Sequence, residues 1–144
     1  MDKRIFAAAA IFLAACAASP DMTAMQAAEA VRDNTSWPQL EPVTDEYILS
    51  DRFGITPGEY DFAVLECPSA AMLSEIIVIR SDDPYAALEV LERRREKAIA
   101  RDALYPADKR TAEDSVTGVD GDYAYFFMGD SADEAEEYFT EMIR

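Results

Sequence analysis

The side chains best placed to do chemistry in this 144-residue sequence are Glu75, Arg94, Tyr105 and Tyr123. Arg94 lies on a helical stretch whose apolar stripe runs through Ala87, Leu91, Ala98 and Tyr105. At about 100° per residue it falls roughly 40° from that stripe. An arginine so near an apolar face needs an anionic partner, because an unpaired buried charge is costly. Glu75 leads a β-rich segment with the parity of Ile77 and Ile79 and can point the same way. A Glu75–Arg94 ion pair ringed by the tyrosine hydroxyls is the expectation, as a structural salt bridge or as part of a ligand site.

Other chemistries are thinly supplied. There is no histidine, so the commonest general base and the usual transition-metal ligand are missing, along with Ser-His and Cys-His nucleophile pairs. Of the two cysteines, Cys67 has acidic neighbours and no histidine to lower its pKa, and reads as a buried bystander. Carboxylates are so numerous that some pair suited to acid–base work is inevitable, which makes the pairing uninformative. Asp120-Gly121-Asp122 is a fragment of a calcium loop without its flanking ligands, and reads better as a hairpin turn. Arg93-Arg94-Arg95 is bracketed by Glu92 and Glu96, as on a solvated helix face. Neither a metal-ligating set nor a cofactor motif is identified.

Cys16 has a different role. Lys3 and Arg4 precede an apolar run over residues 5–13, and Leu13-Ala14-Ala15 leads into the cysteine. That is the layout of an export leader, and with cysteine at the boundary it resembles a bacterial lipobox, in which the thiol carries a diacylglycerol. The run is about half of what a membrane-spanning helix needs. A leader cut after Ala15 or Ala18 without lipidation is the alternative. The expected division is residues 1–15 as signal peptide, 16–21 as lipidated cysteine and tether, and 22–144 as one domain. Loss of the leader, with Asp2, Lys3 and Arg4, takes the formal charge from −16 to −17. So acidic a chain argues against nucleic acid as partner and against lying flat on anionic lipid.

The elements that position these residues follow from pattern. Ser19-Pro20 reads as a helix start, with Met22, Met25, Ala28 and Val31 at helical spacing. Thr44 can cap a second short helix ending at Gly54. Residues 60–65 and 75–80 read as strands, the second β-branched and apolar on both faces and therefore central. Ser81-Asp82-Asp83-Pro84 opens a helix of about 20 residues. Residues 111–119 and 123–128 form a hairpin about Asp120-Gly121, and Ser131 with Glu134 offers a capping box for a last helix. The expected fold is α+β: a four-stranded antiparallel sheet from two strand-strand-helix units, with one or two short N-terminal helices. The long and final helices are expected on one sheet face. The other, carrying Ile76 and Val78, is either left open to a partner or closed by Trp37, Tyr47 and Phe53.

The order of motifs resembles the domain of unknown function 4358 family. Trp37-Pro38 to Leu40 with Asp45-Glu46, then Phe53-Gly54-Ile55-Thr56-Pro57, resemble its connector, acidic helix start and turn. Ser74 to Ile79, Arg94, Tyr105-Pro106 and Gly121-Asp122-Tyr123 resemble later landmarks. Phe53 stands where tyrosine is usual, and Asp102 where an aromatic often precedes the Tyr-Pro. The resemblance implies a small lipoprotein of Gram-positive, clostridial-type bacteria, and no reaction. The expected function is therefore a lipid-anchored, non-catalytic binding or assembly module on the extracytoplasmic face of the cell membrane. It would have a membrane contact through Cys16 and a protein partner in the envelope. A small hydrolase using carboxylates or an oxygen-ligated metal is the alternative.

Overall fold

In a computed structural model, residues 21–69 and 72–144 are described. Five strands form one antiparallel sheet: β1 (Glu41–Pro42), β2 (Asp61–Glu66), β3 (Glu75–Arg80), β4 (Val116–Asp120) and β5 (Tyr123–Met128). Their order across the sheet is β1-β2-β3-β5-β4, so the doubly apolar β3 is the central strand. The sheet has one strand more than expected. β1 is two residues long, too short for any alternation to show in sequence, and Val43 N–H continues it by donating to Val64 C=O at 2.9 Å.

The helices are α1 (Ala24–Asn34), α2 (Glu46–Phe53), α3 (Pro84–Lys97), α4 (Pro106–Glu113) and α5 (Ala132–Ile143). α1 is capped by Thr23; Ser19-Pro20, expected to open it, lies outside the described residues. Gln26 N–H donates to Thr23 Oγ1 at 3.1 Å and Thr23 N–H to Gln26 Oε1 at 3.0 Å, a full capping box. α2 is capped by Asp45, not Thr44, with Ile48 N–H donating to Oδ1, and ends on Gly54 in the left-handed region. The long helix is regular only to Lys97 and continues as one π-turn, Ala98–Asp102, closed by Ala103 N–H to Ala98 C=O at 3.0 Å.

The segment expected to be strand from Thr111 is helical up to Glu113. Pro106 at the first helical position and the good formers Ala107, Lys109, Arg110 and Ala112 favour helix, which shortens β4 to Val116–Asp120. At α5, Ser131 occupies the cap but its side chain makes no capping bond, so the expected capping box with Glu134 is not formed. Asp133 and Glu134 still favour that end electrostatically.

Both sheet faces are closed. Ile76, Val78, Tyr123, Tyr125 and Phe127 pack under α1 and α5, while Ile77, Ile79, Ala124, Phe126 and Met128 pack under α2 and α3. The final helix thus shares a face with α1, not with the long helix as expected. Once α2 and α3 fill one face, only the other remains for the apolar stripe of Ala132, Ala135, Phe139 and Ile143. Small residues Ala24, Ala27 and Ala28 let α1 sit close against the sheet. Ile76 and Val78 are wholly buried, so the notion of a bare sheet face as a partner surface is overturned. Trp37 packs on one core and Phe53 in the other, while Tyr47 is exposed and closes neither.

Candidate functional site

At the end of the sheet where β2 finishes and β3 begins, Glu66 and Glu75 are direct cross-strand neighbours. Two carboxylates side by side on a sheet repel and need a cation between them. Arg52, in the last turn of α2, supplies one. Its Nη2 lies 2.9 Å from Glu66 Oε2 and 3.9 Å from Glu75 Oε1.

Beneath it lies the buried pair. Arg94 Nη2 donates to Glu75 Oε1 at 2.7 Å and Arg94 Nε to Oε2 at 3.3 Å, the two-pronged geometry that guanidinium and carboxylate favour. A second anion, Asp102, accepts from Arg94 Nη1 at 2.7 Å and lies 3.8 Å from Arg52 Nε. Two arginines and three carboxylates are thereby joined in one network. Both guanidiniums also lie over the ring of Phe53, at 4.8 Å for Arg94 and 5.1 Å for Arg52.

The π-turn is what brings Asp102 into reach. In an unbroken α-helix, eight residues on from Arg94 would carry Asp102 about 80° around the axis. The wider turn, at roughly 80° per residue over its five residues, returns it to nearly the same face.

Burial governs the electrostatics. Glu75 is almost without solvent contact, and its desolvation raises the carboxyl pKa against the opposing attraction of Arg94 and, more weakly, Arg52. Desolvation also works against the charge of Arg94, but Glu75 and Asp102 together outweigh it and hold the guanidinium protonated. Within the pair the burial of Glu75 decides, because Arg94 keeps a second anion in Asp102 while Glu75 is almost wholly desolvated.

Above the network opens a cavity of about 370 Å³. Arg52, Glu66, Glu75 and Asp102 form its charged part, Arg101 and Cys67 its side, and Met72, Leu73 and Leu104 its apolar part. Cys67 is only partly buried and lines the cavity, where burial was expected.

Of the four residues expected to cluster, the structure brings together Glu75 and Arg94 alone. Tyr105 is 65% exposed and caps α4. Tyr123 lies on the opposite sheet face, its hydroxyl donating to Met22 C=O at 2.6 Å. The tyrosine shell is therefore absent, and Phe53, Arg52 and Asp102 stand in its place. The facing of Glu66 and Glu75 could have pointed to Arg52, but it depends on a register that the connecting loop leaves open. Asp102 had no signal, because a π-turn has none in a single sequence. Cys16 lies outside the described residues.

A family model described as domain of unknown function (DUF4358) matches residues 34–129. The chain belongs to that family. The match spans β1 to β5 and so contains Arg52, Phe53, Glu75, Arg94 and Asp102, but only the last residue of α1 and none of α5. No curated protein and no solved structure matches the chain. Among the described residues no three His, Cys, Asp or Glu side chains are grouped to hold a metal ion, and no helix is long and apolar enough to cross a membrane.

Proposed function

We propose that this chain is a lipid-anchored, extracytoplasmic binding or assembly module, non-catalytic, tethered through Cys16 and presenting the charged cavity away from the membrane. The lipobox-like Leu13-Ala14-Ala15-Cys16 supports the tether. The observation that carries the orientation is the opposition of the two ends of β3. At its last residue, Arg80 Nη2 pairs with Asp21 Oδ1 at 2.6 Å and Arg80 Nη1 donates to Met22 C=O at 3.2 Å. At its first residue, ~17 Å away along the strand, Glu75 forms the floor of the cavity. The chain thus enters the domain at the pole opposite the cavity, five residues after Cys16.

Binding is favoured over hydrolysis because Glu66 and Glu75 each have both carboxylate oxygens engaged by arginine. A general acid or a carboxylate nucleophile needs an oxygen free to meet substrate. Two acyl chains give stable anchorage where one alone is reversible. Metabolic labelling with an alkyne fatty acid should therefore mark the wild-type chain in the membrane fraction and miss Cys16→Ser. Equal labelling of both would overturn the anchor.

A further inference from the structure

Arg101 differs from the two arginines of the network. Arg52 and Arg94 have their guanidiniums engaged by Glu66, Glu75 and Asp102, whereas Arg101 is exposed and has no ion pair or hydrogen bond among the described residues. It lies in the π-turn directly before Asp102, so the same irregularity that completes the network sets Arg101 at the cavity. Beside it are exposed apolar side chains, Met72 at 50% and Leu104 at 77%, where water contact is unfavourable. The charges of the network do not cancel: three carboxylates face two arginines and leave an excess of one negative charge near Arg101. A dianion would meet that excess. A single carboxylate, flat and matched to one guanidinium fork, meets it least.

We propose that this cavity binds a carboxylate borne on a carbon with an apolar side chain. The carboxylate would lie on Arg101 and the side chain against Met72, Leu73 and Leu104. The source is either a free amino acid or the C-terminal residue of a peptide. A volume of about 370 Å³ is at the small end for ligand sites and suits a group of that size. The inference rests on the reading of the chain as a binding module, though not on its lipid anchor.

The test is saturation-transfer NMR on the full chain in detergent micelles, with leucine, N-acetyl-leucine and N-acetyl-leucine amide as probes. Both carboxylates should bind and the amide should bind at least about tenfold more weakly, the scale of a lost charge-assisted contact. Tighter binding of N-acetyl-leucine than of leucine identifies a chain terminus as the source, and the reverse order a free amino acid. Arg101→Ala should abolish the preference for carboxylate over amide, and Arg101→Lys should keep part of it. Leu104→Ser should weaken both carboxylates without altering that preference. Arg101 and Leu104 are both exposed, so none of these changes threatens the fold. Equal binding of acid and amide, or an Arg101→Ala protein that still prefers the acid, overturns this inference and leaves the binding-module reading standing. Release of acetate from N-acetyl-leucine by wild type but not Arg101→Ala overturns both, since the cavity would then be catalytic.

Discussion

The two ends of β3 carry the same chemistry in opposite surroundings. At one, Arg94 holds Glu75 with both partners almost fully buried; at the other, Arg80 holds Asp21, with Asp21 86% exposed at its side chain. Both contacts are short, 2.7 and 2.6 Å, so distance does not separate them. Dielectric does. Near water, the Coulomb gain is small and is screened by salt, whereas in the interior the loss of one partner strands a charge that cannot be solvated. The buried pair is therefore a structural commitment, and the exposed one a clasp on the incoming chain.

Removing one member of the buried pair should produce the largest effect. Arg94→Ala leaves Glu75 and Asp102 without their shared cation and should cost about 3–5 kcal/mol, read as a shift of the urea midpoint. A loss below about 1 kcal/mol would place the pair in the same class as the surface clasp.

The double substitution Glu75→Leu with Arg94→Met sharpens the point. Replacing both charges by apolar groups of similar size should recover most of that loss, because the desolvation cost disappears with them. A double variant as unstable as Arg94→Ala alone would show that the pair itself is a net source of stability.

Asp102→Asn should cost less, on the order of 1–2 kcal/mol, since Arg94 keeps Glu75 and loses only the charge of its second partner. A cost equal to that of Arg94→Ala would make Asp102 and Glu75 inseparable.

A third polar contact titrates on the other face. Tyr125 donates to Glu136 Oε2 at 2.8 Å, and burial, followed by that hydrogen bond, raises its pKa well above the ordinary tyrosine value. A raised folded pKa contributes stability fully present below about pH 10 and lost as pH rises beyond it. Chemical denaturation from pH 9 to 11 should show falling stability, with a shallower fall in Tyr125→Phe. Identical slopes would mean that the hydroxyl ionises as freely in the fold as out of it.

Asp21→Asn should produce the smallest effect, leaving the melting temperature within a degree of wild type at any salt concentration. A clear loss would show that the clasp belongs with the buried pair.

Unbroken apolar runs made β3 and β5 legible, since a central strand must bury both its faces. The Glu75–Arg94 pair was legible for a related reason: strand parity and helical angle are local, and a charge on an apolar face demands an answer. Tyr105 and Tyr123 were misplaced because sharing an apolar stripe, or lying near a strand end, does not say which side of the sheet a hydroxyl reaches. Phe53 was legible as a turn landmark but not as the ring beneath two guanidiniums.

The amino-acid sequence by itself determined the secondary elements with strong periodicity, the acidic surface, the absence of histidine chemistry and the need for a partner at Arg94. Tertiary structure alone decided which face each helix takes, because the stripes of α1 and α5 would suit either. It also decided the register that sets Glu66 beside Glu75, the two-residue β1 held by its neighbour, and the π-turn that swings Asp102 under Arg94. Each of these depends on backbone positions far apart in the chain or on a turn with no local signature. The cavity exists only where they meet.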